Sequence, residues 1–308
     1  MITTDTFRCP GADGERGIFV RAWLPERAPR AVLQLVHGVA EHSGRYEELG
    51  RFLAGHGVAV YAQDLPGHGR TAREGERGWF AEKGGWRLAA RDVYALRQEL
   101  GRRHPGVPFF LLGHSMGSFL VRTCLIDWPG TVDGAILSGT GQEAAPLVAA
   151  GRALAACLCA LRGTRRPSPF LQKLSMGSYN RAFRPNRTPC DWISRDPAQV
   201  DAYLADPLCG GVSTAGLFRD MLGGIAYIGR RENAARMDPD TPVLLLSGEQ
   251  DPVGAMGKGV RKVERLFRRA GARDVTVRLY PGGRHEMFHD PESDTVRADL
   301  LAWVERRI

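Results

Sequence analysis

Pro108-Phe109-Phe110-Leu111-Leu112-Gly113-His114-Ser115-Met116-Gly117-Ser118 is the stretch on which the reading of this chain turns. Residues 108–112 are continuously apolar, as in a short strand buried on both faces. The pentapeptide Gly113–Gly117 follows at once, and a helical pattern runs over Ser118–Asp127. G-x-S-x-G between a strand and a helix is the nucleophile elbow. Its glycines allow a sharp turn that lifts the Ser115 hydroxyl above the sheet edge. The same turn leaves the Met116 N–H at a helix N-terminus, where it can stabilise an oxyanion. The bland alternative is a chance turn with Ser115 as a helix cap, and the flanking strand and helix argue against it.

On both sides, short apolar runs alternate with helical patterns. Strands are expected at Ile18–Leu24, Ala31–Val36, Val58–Ala62, Gly134–Leu137, Val243–Ser247 and Val275–Tyr280. Helices are expected at Tyr46–Leu53, Trp86–Arg103, Lys258–Ala270 and Asp294–Arg307. This alternation predicts an α/β fold: a mostly parallel sheet with helices on both faces. Residues 141–240 break the rhythm, with no convincing strand. They read as an inserted helical cap, with 1–140 and 241–308 forming the core; ligand sites in such sheets lie beyond the carboxyl ends of the strands, where an insertion can cover them.

A serine nucleophile needs a base and an acid. In sheets that carry this elbow they follow the serine in the order acid, then histidine. His285 lies in a short loop after Val275–Tyr280, behind Pro281-Gly282-Gly283-Arg284. Asp251 lies just beyond Val243–Ser247, with Glu249 as the substitute acid and a turn cap as the bland reading. His37 and His42 precede Ser115 and read as structural. The loop that holds them follows Ala31–Val36, the position of the second oxyanion donor, which is assigned to the Val39 N–H.

His285-Glu286-Met287-Phe288-His289 also fits H-E-x-x-H, the helical zinc-peptidase signature. Gly282 and Gly283 before it and Pro291 after it leave room for barely a turn, and a third ligand would have to come from Glu292 or Glu305. No metal and no cofactor are therefore expected.

The chain has 308 residues and a net charge of +8, nearly all of it arginine. No nucleic-acid-binding motif accompanies that charge, so nucleic acid is not expected as a partner. The N-terminus has no apolar signal segment, and no stretch is read as long enough to span a membrane. Six cysteines without zinc or disulfide spacing point to reduced thiols in the cytoplasm. Pro146–Leu161 is apolar around most of its circumference and is followed by Arg162, Arg165 and Arg166. Such a helix either dips peripherally into an anionic membrane surface or packs within the cap or a dimer.

With these residues in hand, the sequence resembles the monoacylglycerol lipase and lysophospholipase group of α/β-hydrolases, often labelled serine aminopeptidase S33. The likeness is densest in HGVAEHSGRY (37–46), AQDLPGHGRT (62–71), GHSMGS (113–118), SRDPAQVDAYLADPL (194–208), SGEQDPVG (247–254) and YPGGRHEM (280–287). The resemblance implies hydrolysis of carboxylic esters through an acyl-enzyme, with a helical cap around a channel for one acyl chain and a small lipid ester as substrate. It matches Ser115, Asp251 and His285 to the family triad, and Val39 and Met116 to its oxyanion hole. The group usually has glycine where this chain has Ala40, which implies a stiffer oxyanion loop. Short-acyl esters and peptides are the alternative substrates; a zinc hydrolase and a non-catalytic binding protein are the alternatives of another class.

Overall fold

The computed structural model describes residues 1–308. Its eight strands are β1 (Thr3–Pro10), β2 (Gly17–Leu24), β3 (Ala31–Val36), β4 (Val58–Gln63), β5 (Phe109–His114), β6 (Gly134–Ser138), β7 (Val243–Gly248) and β8 (Val275–Tyr280). They form one sheet in the order β1-β2-β4-β3-β5-β6-β7-β8. β2 pairs antiparallel with β1 and β4, and all other pairs are parallel.

The apolar run of β5 is buried on both sides because alternate side chains point to opposite faces. Phe109 and Leu111 join one core layer, and Phe110 and Leu112 the other. Helices α1 (Glu47–Gly55), α2 (Gly85–Arg103) and α3 (Met116–Asp127) follow the first strands. Between β6 and β7 lie α4 (Ala145–Arg162), α5 (Pro169–Met176), α6 (Pro197–Ala205), α7 (Ala215–Ile228) and α8 (Arg231–Ala234), with no strand among them. α9 (Lys258–Ala270) and α10 (Ser293–Glu305) complete the chain.

Three differences from the sequence expectation are informative. β1 was not expected: as an edge strand it pairs only with β2 and stays mostly exposed, so it lacks a buried apolar run. α3 starts at Met116 rather than Ser118, because the elbow feeds directly into the helix. The expectation that no segment reaches spanning length also needs correcting. α4 has 18 residues and a mean hydropathy of 1.4, enough by length and composition to cross a membrane. Only Val148, Ala155 and Cys159 of that helix are buried.

Candidate active site

Ser115 sits at the sharp turn with φ 52° and ψ −121°, backbone angles that an L-residue adopts only under strain. Its own N–H is held by the Ser138 carbonyl at 2.8 Å. The flanking glycines are forced by close approach. A Cβ on Gly113 would lie 2.4 Å from the Gly117 carbonyl oxygen, and one on Gly117 would lie 2.0 Å from that of Val36. Gly117 thus lets α3 descend onto the end of β3, which brings the loop after β3 beside the serine.

His285 follows β8 and Asp251 follows β7. The structure brings them together: His285 Nδ1 lies 3.0 Å from Asp251 Oδ1. Asp251 is fully buried and also accepts from the Val253 N–H at 2.8 Å and the Ser247 hydroxyl at 3.0 Å. Burial works against its charge, but His285 and these donors hold the carboxyl below its ordinary value. For His285, burial disfavours the cation, and the Asp251 carboxylate, with Glu286 and Glu41, raises its pKa above the histidine norm. Glu249, the substitute acid, is exposed. Ser115 and His285 line the same cavity of about 320 Å³, together with Gly38, Val39 and Ala40.

The loop after β3 is built around a buried ion network. Glu41 accepts from the Gly38 N–H at 2.5 Å and the Tyr46 hydroxyl at 2.9 Å. Arg45 contacts Glu41 at 3.1 Å and grips both oxygens of Glu286 at 2.7 Å, tying this loop to the residue beside His285. Ala40 takes φ 56°, the left-handed conformation that favours glycine. Its carbonyl accepts from the Tyr203 hydroxyl at 3.1 Å and the Gly210 N–H at 2.9 Å, so the 141–240 segment pins the loop. The N–H groups of Val39 and Met116 donate to no group of the protein.

The other histidines are engaged elsewhere. His37 donates to the Gly38 carbonyl and accepts from the Leu65 N–H. In the HEMFH stretch, Met287–His289 is a single 3-10 turn, and the three candidate ligands have different principal partners. His285 faces Asp251, Glu286 pairs with Arg45, and His289 Nε2 bonds the Arg45 carbonyl at 2.7 Å. His42, Asp206 and Cys209 place ligand atoms within 4.8 Å of one another, a grouping invisible in the sequence. There the Gly44 N–H occupies His42 Nδ1, which leaves Nε2 to carry the proton toward Asp206 at 2.8 Å rather than a metal. Sequence reasoning also missed Trp192 and Tyr203, which line the cavity from the segment between β6 and β7. For Arg45 and Glu41 a signal existed in the string 37–46; for Trp192 there was none.

The family described as serine aminopeptidase, S33 matches residues 27–292. The chain belongs to this family. It is 32% identical to the human monoglyceride lipase over 300 residues, covering 96% of this chain and 89% of that one. It is 30% identical to a monoacylglycerol lipase of Mycolicibacterium smegmatis, covering 96% and 94%. Among solved structures, a thermostable carboxyl esterase from Bacillus coagulans in complex with glycerol superposes with a TM-score of 0.92 at 28% identity, covering 99% of each chain. The fold is that of the α/β-hydrolases, and the family member described here is a carboxylic-ester hydrolase.

Proposed function

We propose that this chain hydrolyses monoacylglycerols through an acyl-enzyme formed on Ser115. The observation that carries the reading is a strained, cavity-lining Ser115 that shares its cavity with a His285 bonded to a buried Asp251. His285 takes the serine proton as the hydroxyl attacks the ester carbonyl. The N–H groups of Val39 and Met116 hold the oxyanion, and His285 returns its proton to the leaving glycerol oxygen. Water, activated by the same imidazole, then releases the fatty acid. Residues 141–240 act as the cap over residues 1–140 and 241–308.

The cavity supports a neutral head group and an apolar tail. Val39, Met176, Ile193 and Val212 offer apolar wall, while Lys173 is its only lining cation and Arg45 already satisfies Glu41 and Glu286. A phosphate head group would find little positive charge there, which favours monoacylglycerol over lysophospholipid. Neutral His285 is the active form, and its raised pKa sets the acid limit. Activity should fall as the pH drops through a value raised above that of an ordinary histidine.

Membrane contact through the cap is part of the proposal. Leu147 and Leu161 of α4 and Phe170 and Leu174 of α5 are all more than half exposed, with Arg162 and Arg166 beside Phe170. Six free cysteines fit a reducing, cytoplasmic setting for such a peripheral enzyme.

The test pairs a monoacylglycerol chain-length series with lysophosphatidylcholine and a fluorophosphonate probe. The probe should label wild type at Ser115 and spare Ser115→Ala, whose turnover should be down by about three orders of magnitude or more. Activity surviving Ser115→Ala sinks the mechanism; faster turnover of the phospholipid sinks the substrate. Co-sedimentation of Ser115→Ala with vesicles should rise with anionic lipid and weaken with salt, and absence of binding at every composition removes the membrane contact.

A further inference from the structure

Four aromatic rings run from the cap segment to the elbow. Tyr179 meets Trp192 edge-on with centroids 5.1 Å apart, Trp192 meets His285 at 5.1 Å and 34°, and His285 meets His114 at 4.7 Å. The indole is held in place by the backbone on either side of it. The Trp192 carbonyl accepts from the His285 N–H at 3.4 Å, and the Ile193 carbonyl accepts from the Glu286 N–H at 2.7 Å. Arg284 donates to the carbonyls of Asp191 and Ser194, so the cap segment around the indole is stitched to the histidine loop along its length.

We propose that Trp192 is a positioning residue for the reaction, its indole packed against the His285 imidazole so that the ring is fixed and its cation stabilised as it forms. The proposal rests on the serine mechanism above. During attack the imidazole becomes imidazolium inside a site where it is only 3% exposed. Asp251 compensates that charge through its bond to Nδ1, while the indole π-system packed against the ring at 5.1 Å compensates it from another side. His114 does not oppose that cation, because burial and the neighbouring His285 lower its pKa to about 4, which keeps it neutral. The other charged or titratable groups around the ring are Asp251, Glu286 and Glu41, with Arg45 beyond the two glutamates. Because Trp192 comes from the inserted segment, displacing that segment strips the base of its aromatic support and slows the chemistry.

The experiment compares wild type, Trp192→Phe and Trp192→Leu as full-length proteins, by ester kinetics between about pH 5 and 9 and by NMR titration of histidine-labelled protein. His285→Gln assigns the resonance. In Trp192→Leu, kcat for nitrophenyl butyrate should fall roughly tenfold with KM within about twofold, and the His285 midpoint should move down by about one pH unit. Trp192→Phe, which keeps a weaker π-face, should fall between the two, and it keeps the test decisive if the leucine variant misfolds. A midpoint that stays put or moves up overturns the proposal. So does a raised KM at unchanged kcat, which would make the indole only a wall of the acyl pocket. The NMR titration reads the Trp192–His285 coupling without turnover, so a failure of the serine mechanism, seen as activity in Ser115→Ala, is distinguished from a failure of this inference.

Discussion

Replacing Arg45 with methionine should destabilise the protein by about 3–5 kcal/mol at neutral pH. The guanidinium contacts Glu286 through two bonds of 2.7 Å and Glu41 through one of 3.1 Å, with all three side chains less than a tenth exposed. Unit charges about 4 Å apart attract by about 4 kcal/mol at an effective dielectric of about 20. Methionine fills similar space but strands two buried carboxylates near each other, and one of them relieves the cost by taking up a proton. That escape gives the effect a sign in pH. In wild type, burial alone would raise both carboxyls, but Arg45 holds Glu41 and Glu286 below their ordinary values. Their contribution is therefore fully present above the unfolded carboxylate pKa and is lost only as the pH falls below it. In the variant, at least one carboxyl has a raised pKa, so stability declines as the pH rises from the unfolded value through the raised one. The gap between wild type and variant should then be larger at about pH 8 than at about pH 5.5. Urea unfolding followed by tryptophan fluorescence measures it, and adding Glu286→Gln to Arg45→Met should recover part of the loss. A gap under about 1 kcal/mol, or one equal at both pH values, refutes the assignment of Arg45 as the central counter-charge.

Three further predictions follow from the site. Ala40→Gly should relieve a left-handed alanine worth about 1–2 kcal/mol, offset by the greater unfolded freedom of glycine, for a net gain of up to about 1 kcal/mol; a lower Tm by scanning fluorimetry would show that the loop is not strained. Gly117→Ala should cost most of the folded yield or activity, because its Cβ meets the Val36 carbonyl, whereas Gly211→Ala, with open space around it, should be neutral in expression and thermal melts. Dialysis against a strong chelator should leave ester hydrolysis intact, and His289→Ala should be milder than His285→Ala, since His289 bonds the Arg45 carbonyl and faces Glu286 at 3.7 Å but does not touch Asp251; activity restored by zinc after chelation would reinstate the HEMFH reading.

Much of the candidate site was legible because its parts stand at strand ends, where an apolar run followed by glycine, serine, aspartate or histidine is conspicuous. Ser115 after β5, Asp251 after β7 and His285 after β8 each follow that pattern. β1 was not legible, because an exposed edge strand carries no core-facing signature. The exposure of α4 was only half legible: apolar composition is a property of the chain, but whether such a helix is covered depends on its neighbours. Packing buries three of its eighteen residues.

The sequence by itself determined the alternation of strands and helices in the core from β2 onward, the elbow at Ser115 and the chain order of the proposed nucleophile, acid and base. These are encoded locally, in the alternation of apolar and polar side chains and in glycines that the backbone cannot do without. Only the tertiary structure decided which oxygen of Asp251 meets His285, that Arg45 joins Glu41 to Glu286, a residue 241 positions further along the chain, and that the Trp192 ring packs against His285. Those contacts join segments far apart in the chain, and their energies depend on burial and on distances of a few ångströms. Neither quantity is a property of any residue until the sheet has brought the strand ends together.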